Sequence, residues 1–225
     1  MADASLIETR CSLHTVAERI VATDLWHRTG KFGLRRTPGG FGQPEVLSGG
    51  SRHRIRVDGS DLVVLEGDVE RVEPITTLAA ASAFSGVALD RPIDGYTLQT
   101  DLHPGETLHI DPLEATRLAN WLALVDEALE GLRRRHRALS PTIAQLWPEH
   151  FDLACSMAEV NFGGSPGDEG HPEPYLYVGP WTPLDPTSRT GSFWNEPFGA
   201  SLTAAEVPDA EVAVAFFEDG LAASR

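Results

Sequence analysis

The stretch Arg52-His53-Arg54-Ile55-Arg56-Val57-Asp58-Gly59-Ser60-Asp61-Leu62-Val63-Val64-Leu65 decides the fold. Its first half alternates Arg52, Arg54 and Arg56 with His53, Ile55 and Val57, the period of a strand with one side buried. Asp58-Gly59 breaks the run and an apolar stretch follows, so the segment reads as a β-hairpin. A second hairpin precedes it, because Phe32 to Arg36 and Phe41 to Leu47 flank Thr37-Pro38-Gly39-Gly40. Two hairpins in succession predict a four-stranded meander.

Helices are expected on either side. Ser12 is read as the cap of a helix to about Trp26, with Leu13, Val16, Ile20 and Val21 at helical spacing. A short helix is expected from Thr77 to Phe84, stopped by Gly86. Asp111, Pro112 and Glu114 make a capping box for a helix to about Arg137, with Leu118, Trp121, Leu122, Val125, Leu129 and Leu132 as its buried stripe. Residues 141 to 198 read as strands and proline-rich loops. A last helix over 209–223 is expected to bury Val212, Ala215 and Phe216. The fold class is therefore α+β: a single domain over 1–225, with a mainly antiparallel sheet from strands near 31–66 and 150–199 covered by helices at 12–26, 112–137 and 209–223.

The chain has 225 residues, 41% of them hydrophobic and 23% charged, enough to bury a core. Its net charge of −15 argues against nucleic acid and anionic lipid as partners, since phosphate binding needs a basic surface. No uncharged apolar run approaches the roughly 20 residues of a membrane span. The first ten residues lack the layout of a secretory signal, and Cys11 and Cys155 have no metal or redox spacing. The expectation is a cytoplasmic protein with reduced thiols.

Acidity and aromatic rings coincide. From residue 141 onward there are 13 acids and two arginines, which accounts for −11 of the net charge, and residues 147 to 198 hold 9 of the 17 aromatics. Rings beside carboxylates can form a ligand cleft, or simply a core with acids facing water. Within this region a strand is expected from Glu149 to Phe162, placing His150, Asp152, Ala154, Ser156 and Ala158 on one face. After the loop from Gly163 to Gly170, His171, Glu173, Tyr175 and Tyr177 share parity. If the strands pair, His150, Asp152, His171 and Glu173 would serve as general acid and base. Alternatively His150, Asp152 and His171 would hold a divalent metal such as zinc, iron or manganese, although the spacing matches no standard metal motif.

Other signals are weaker. Gly163-Gly164-Ser165-Pro166-Gly167 fits the G-x-S-x-G formula, but Pro166, Gly167, Gly170, Pro172 and Pro174 forbid the helix a nucleophile elbow needs. A turn capped by Asp168 fits better. Thr37-Pro38-Gly39-Gly40-Phe41-Gly42 lacks the lysine and helix of a phosphate loop. The arginine row, with Arg54 at its centre, would hold an anionic ligand or be a solvated face. His14 and Glu18, one turn apart, read as a solvent-facing pair.

The segments Leu146-Trp147-Pro148-Glu149-His150-Phe151-Asp152-Leu153-Ala154, Ser165-Pro166-Gly167-Asp168, Pro172-Glu173-Pro174-Tyr175-Leu176-Tyr177-Val178-Gly179-Pro180-Trp181 and Phe193-Trp194-Asn195-Glu196-Pro197-Phe198-Gly199-Ala200 resemble a family of uncharacterised, mainly actinobacterial proteins. The resemblance implies no activity, cofactor or catalytic residue. The functional expectation is an enzyme acting on a small, partly apolar molecule, with Trp147, Tyr175, Tyr177, Trp194 and Arg54 as ligand contacts. The alternative is a non-catalytic module that binds a ligand or protein through residues 147–198.

Overall fold

The computed structural model describes residues 3–91, 93–182 and 193–225. The architecture is α+β with two antiparallel sheets, and the chain divides into two compact units, Met1–Asn120 with Leu146–Phe151 and Trp121–Gln145 with Asp152–Arg225. Among the described residues no helix is long and apolar enough to cross a membrane.

The first unit opens earlier than Ser12. Asp3 caps α1 (Ala4–Val16) by accepting from the Ser5 N–H at 3.1 Å, and Ser12 is buried inside the helix. A π-helical turn, Ala17–Ala22, leads into α2 (Thr23–Thr29), which ends at Gly30 with φ +68°. The wider turn is bonded by the Thr23 hydroxyl, which donates to the Glu18 carbonyl five residues back at 2.9 Å. Leu6, Leu13, Val16, Ile20, Val21 and Leu25 are buried along this helical run.

The first sheet has six strands, two more than the expected meander. They are β1 (Arg35–Thr37), β2 (Gly40–Gly42), β3 (Val46–Ser48), β4 (Ser51–Asp58), β5 (Asp61–Glu66) and β6 (Val69–Pro74), in the order β1-β2-β4-β5-β6 with β3 also on β4. On β4, His53, Ile55 and Val57 are buried as the alternation predicts. β6 was hidden because an exposed edge strand need show no alternation. Then α3 (Leu78–Ser85) begins at a Thr77 cap and ends at Gly86, as expected.

The long helix α4 (Pro112–Arg135) runs from the first unit into the second, and all six residues of its expected stripe are buried. Asp111 caps it through Leu113 N–H at 2.8 Å and Glu114 N–H at 3.1 Å. The reciprocal half of the capping box is missing: the Asp111 N–H donates to Thr9 at 2.9 Å, and Glu114 lies 3.5 Å from Arg117. A 3-10 turn, Arg137–Leu139, follows the helix.

The second sheet has the order β11-β10-β9-β8-β7, with β7 (Gln145–Trp147), β8 (Asp152–Met157), β9 (Val160–Ser165), β10 (Tyr175–Pro180) and β11 (Ala200–Thr203). The single strand expected over 149–162 is instead two, because the chain reverses at Ala158-Glu159, both left-handed at φ +51° and +60°. Within the second unit the apolar face of β8–β11 is covered by α4 and by α5 (Ala210–Ala223), capped by Asp209. Phe162 meets Phe217 edge-on at 6.0 Å, and Gly164 and Gly220 leave room for Val125 and Val178 respectively. On α5 the buried residues include Ala213, Val214, Phe216 and Phe217, whereas the expected Ala215 is exposed.

Candidate functional site

The opposite face of the second sheet carries small and polar residues. Tyr177 lies opposite Gly163 and Ser201, Tyr175 opposite Ser165 and Thr203, and Asp152 shares the face of Ala154, which is opposite Gly163. A Cβ on Gly163 would fall 2.6 Å from the Tyr177 phenol, so the glycine is what lets this ring lie across β9. The phenol donates to Asp152 Oδ2. Burial, reinforced by the Asp152 charge, pushes the Tyr177 pKa far above its ordinary value.

The loop between β9 and β10 is organised by Asp168. Its Oδ1 accepts from the N–H groups of Gly170 and His171, each at 2.7 Å, and its Oδ2 from the Tyr175 hydroxyl at 2.5 Å. Burial acts to raise the Asp168 pKa, but these donors outweigh it and hold the carboxyl below its usual range. Tyr175 moves the other way, raised by burial and by Asp168. Ser165 accepts from the Gly167 N–H, and no helix follows it, so the G-x-S-x-G stretch is a turn.

His171 stands on this base. Its ring lies 4.6 Å from that of Tyr175, Nε2 is 2.9 Å from Glu196 Oε1, and Nδ1 is 3.9 Å from Asp168 Oδ1. The same Glu196 oxygen accepts from the Ser201 hydroxyl at 2.9 Å. Glu196 is held by a backbone bridge to Gly199, and Gly199 itself has no alternative, since a Cβ there would sit 2.0 Å from the Val178 carbonyl. The His171 side chain remains 28% exposed. The arrangement is an oriented imidazole flanked by two carboxylates with one side open, which can take or give a proton. Ser201 bonds the carboxylate and not the imidazole, so it is not set up as a His-activated nucleophile.

The other expected site residues are dispersed. His150 belongs to the first unit, exposed in a turn with Nε2 3.6 Å from Glu149. The His150/Asp152 face fails because Phe151 between them is left-handed at φ +52° and breaks the alternation. Trp147 and Arg54 also belong to the first unit. Beside Arg54, Arg52 pairs with Glu45 at 2.8 Å and Arg56 with Asp58 at 2.7 Å, so neighbouring acids neutralise much of that row. Trp194 is in the second unit but buried, edge-on to Phe193 at 5.1 Å, as core and not cleft wall. Glu173 is half-buried on the loop before β10, and His171 precedes that strand instead of lying on it. Among the described residues no group of three or more His, Cys, Asp or Glu is placed to hold a metal ion, and His150, Asp152 and His171 form no such group.

Two clusters escaped the sequence reading. Glu196 and Ser201 lie 25 and 30 residues after His171, with no periodicity to link them. In the first unit Glu18 is fully buried, not solvent-facing: its carboxylate accepts from Tyr96 OH at 2.5 Å, Gln99 N–H at 2.7 Å, Thr100 N–H at 2.7 Å and the Thr100 hydroxyl at 2.6 Å. His14 lies 2.7 Å from the Pro148 carbonyl and stacks on Phe151, and burial lowers its pKa. Cys155 is buried, with its thiol pushed up to about 12.

The chain matches no family model, no curated protein and no solved structure.

Proposed function

We propose that the protein is an enzyme acting on a small, partly apolar molecule, with His171 as its acid-base group and Glu196 as the residue that positions it. One observation carries this reading: His171 is held at Nε2 by Glu196 and beneath by the Tyr175 ring, with the Asp168 carboxylate 3.9 Å from Nδ1, yet keeps an exposed edge. A purely structural histidine needs no such opening. Phe198, 6.3 Å from the imidazole and 42% exposed, offers an apolar surface beside it, and Asp152, bonded to Tyr177, adds a third carboxylate in the same unit. Tyr175, buried beneath the imidazole, and Tyr177, bonded to Asp152, support the site from below, while His150 and Glu173 take no part in this mechanism.

A second reading has its own support. Trp181 is 61% exposed with its indole N–H tied to Asn161 at 2.9 Å, and such held, exposed rings suit a non-catalytic binding surface. A screen of small aromatic and aliphatic esters, amides and hydroxy compounds separates the two. Turnover lost in His171→Gln supports the enzyme. Saturable binding without turnover, abolished by Trp181→Ala and indifferent to His171→Gln, supports the binding module.

A further inference from the structure

β6 ends the first sheet, and all six of its residues are exposed, with Val69 63% and Val72 58% accessible. Among the described residues no backbone group pairs with its outer side. The Ile75 N–H donates to the Ser60 carbonyl at 2.9 Å, so Glu73, Arg71 and Val69, in step with it, aim their backbone groups inward at β5. Glu70, Val72 and Pro74 aim theirs outward.

We propose that two copies of this chain associate through β6, antiparallel, with Val72 opposite Val72 of the partner subunit. The pleat and the charges select this register. Only outward-facing residues can exchange main-chain hydrogen bonds, so they must lie opposite one another. With Val72 on the two-fold axis, Arg71 falls opposite the partner's Glu73, and the pair repeats by symmetry. Shifting by one hydrogen-bonded step toward Glu70 sets Arg71 against the partner's Arg71. Pro74 has no N–H to give, but its carbonyl accepts from the partner's Glu70, which leaves four main-chain bonds around the axis. Within one copy Arg71 lies 3.5 Å from Glu66, donates to the Phe84 carbonyl at 3.2 Å and sits 4.8 Å over the Phe84 ring, solvent-exposed contacts that must loosen or be shared when Arg71 meets the partner's Glu73. A second copy fits this edge better than an arbitrary peptide, because its own sequence supplies both charges.

One short strand per subunit is less than a standard interface, so the dimer is weak, dissociating between about 1 μM and 1 mM. Sedimentation velocity across that range tests it. Wild type shifts from monomer to dimer, Arg71→Glu and Glu73→Arg each weaken the dimer about tenfold or more, and the double variant restores it. Amide exchange of wild type slows at Glu70 and Val72 as concentration rises, a readout that needs no variant. A protein monomeric throughout, a dimer indifferent to both substitutions, or a double variant no tighter than either single overturns the proposal.

Discussion

Asp24 receives three side chains: His53 Nε2 at 2.8 Å, Gln43 Nε2 at 2.8 Å and Arg28 Nε at 2.8 to 2.9 Å. Burial acts against its charge, but these partners prevail and hold the carboxyl below its usual range. A depressed carboxyl stabilises the fold above its unfolded pKa of about 3.9, and that contribution is lost as pH falls through the folded value. Asp24→Ala should therefore cost about 3 kcal/mol at neutral pH, with the deficit shrinking as both proteins are acidified below about pH 4, as read by urea unfolding. A pH-independent deficit would assign the loss to packing alone. Glu18 makes a separate prediction. Glu18→Ala strips the acceptor from the part-buried Gln99 and Thr100 N–H groups, at about 1 kcal/mol for each, and should speed proteolysis within residues 94–102. His53 was legible as an inward-facing residue on β4, but its partner comes from a helix 29 residues away. The burial of Glu18 was not legible, because the π turn shifts the phase on which helical periodicity depends.

Among elements, α4 was the easiest to read, since its cap, stripe and basic end all lie within one segment. Its capping box failed because the competing acceptor, Thr9, comes from about a hundred residues earlier. The hairpin of β8 and β9 was hidden for a local reason: Ala158-Glu159 adopts left-handed angles without a glycine to announce them. On the polar face of the second sheet the same hairpin supplies Gly163, whose missing side chain lets Tyr177 reach Asp152. Gly163→Ala should displace the phenol and cost about 1–3 kcal/mol, seen as a changed near-UV dichroism and a lower denaturation midpoint. A variant with both unchanged would show that the tyrosine position is not tied to the glycine. The carboxylates of the site were only half legible, Asp168 as a turn cap and Glu196 not at all.

At the scale of the whole molecule, the three tyrosines, Tyr96, Tyr175 and Tyr177, share one property. Burial first, and a carboxylate partner second, raises the pKa of each. A phenol with a raised folded pKa stabilises the fold below its unfolded value of about 10, and loses that contribution as pH rises toward the folded one. Absorbance at 295 nm should thus stay flat through about pH 10 and rise only as far-UV ellipticity is lost. A phenolate signal near pH 10 with ellipticity intact would free at least one tyrosine from its carboxylate. The acidity of the chain, concentrated after residue 140, coincides with the unit that holds Asp152, Asp168, His171 and Glu196. The central claim is that His171 does chemistry there, and it is tested most directly by the turnover of His171→Gln on whichever screened compound wild type converts, in samples whose amide NMR spectra overlay. The account predicts a kcat reduced about 10²- to 10⁴-fold with the fold kept. Undiminished turnover, or a variant that does not fold, would contradict it.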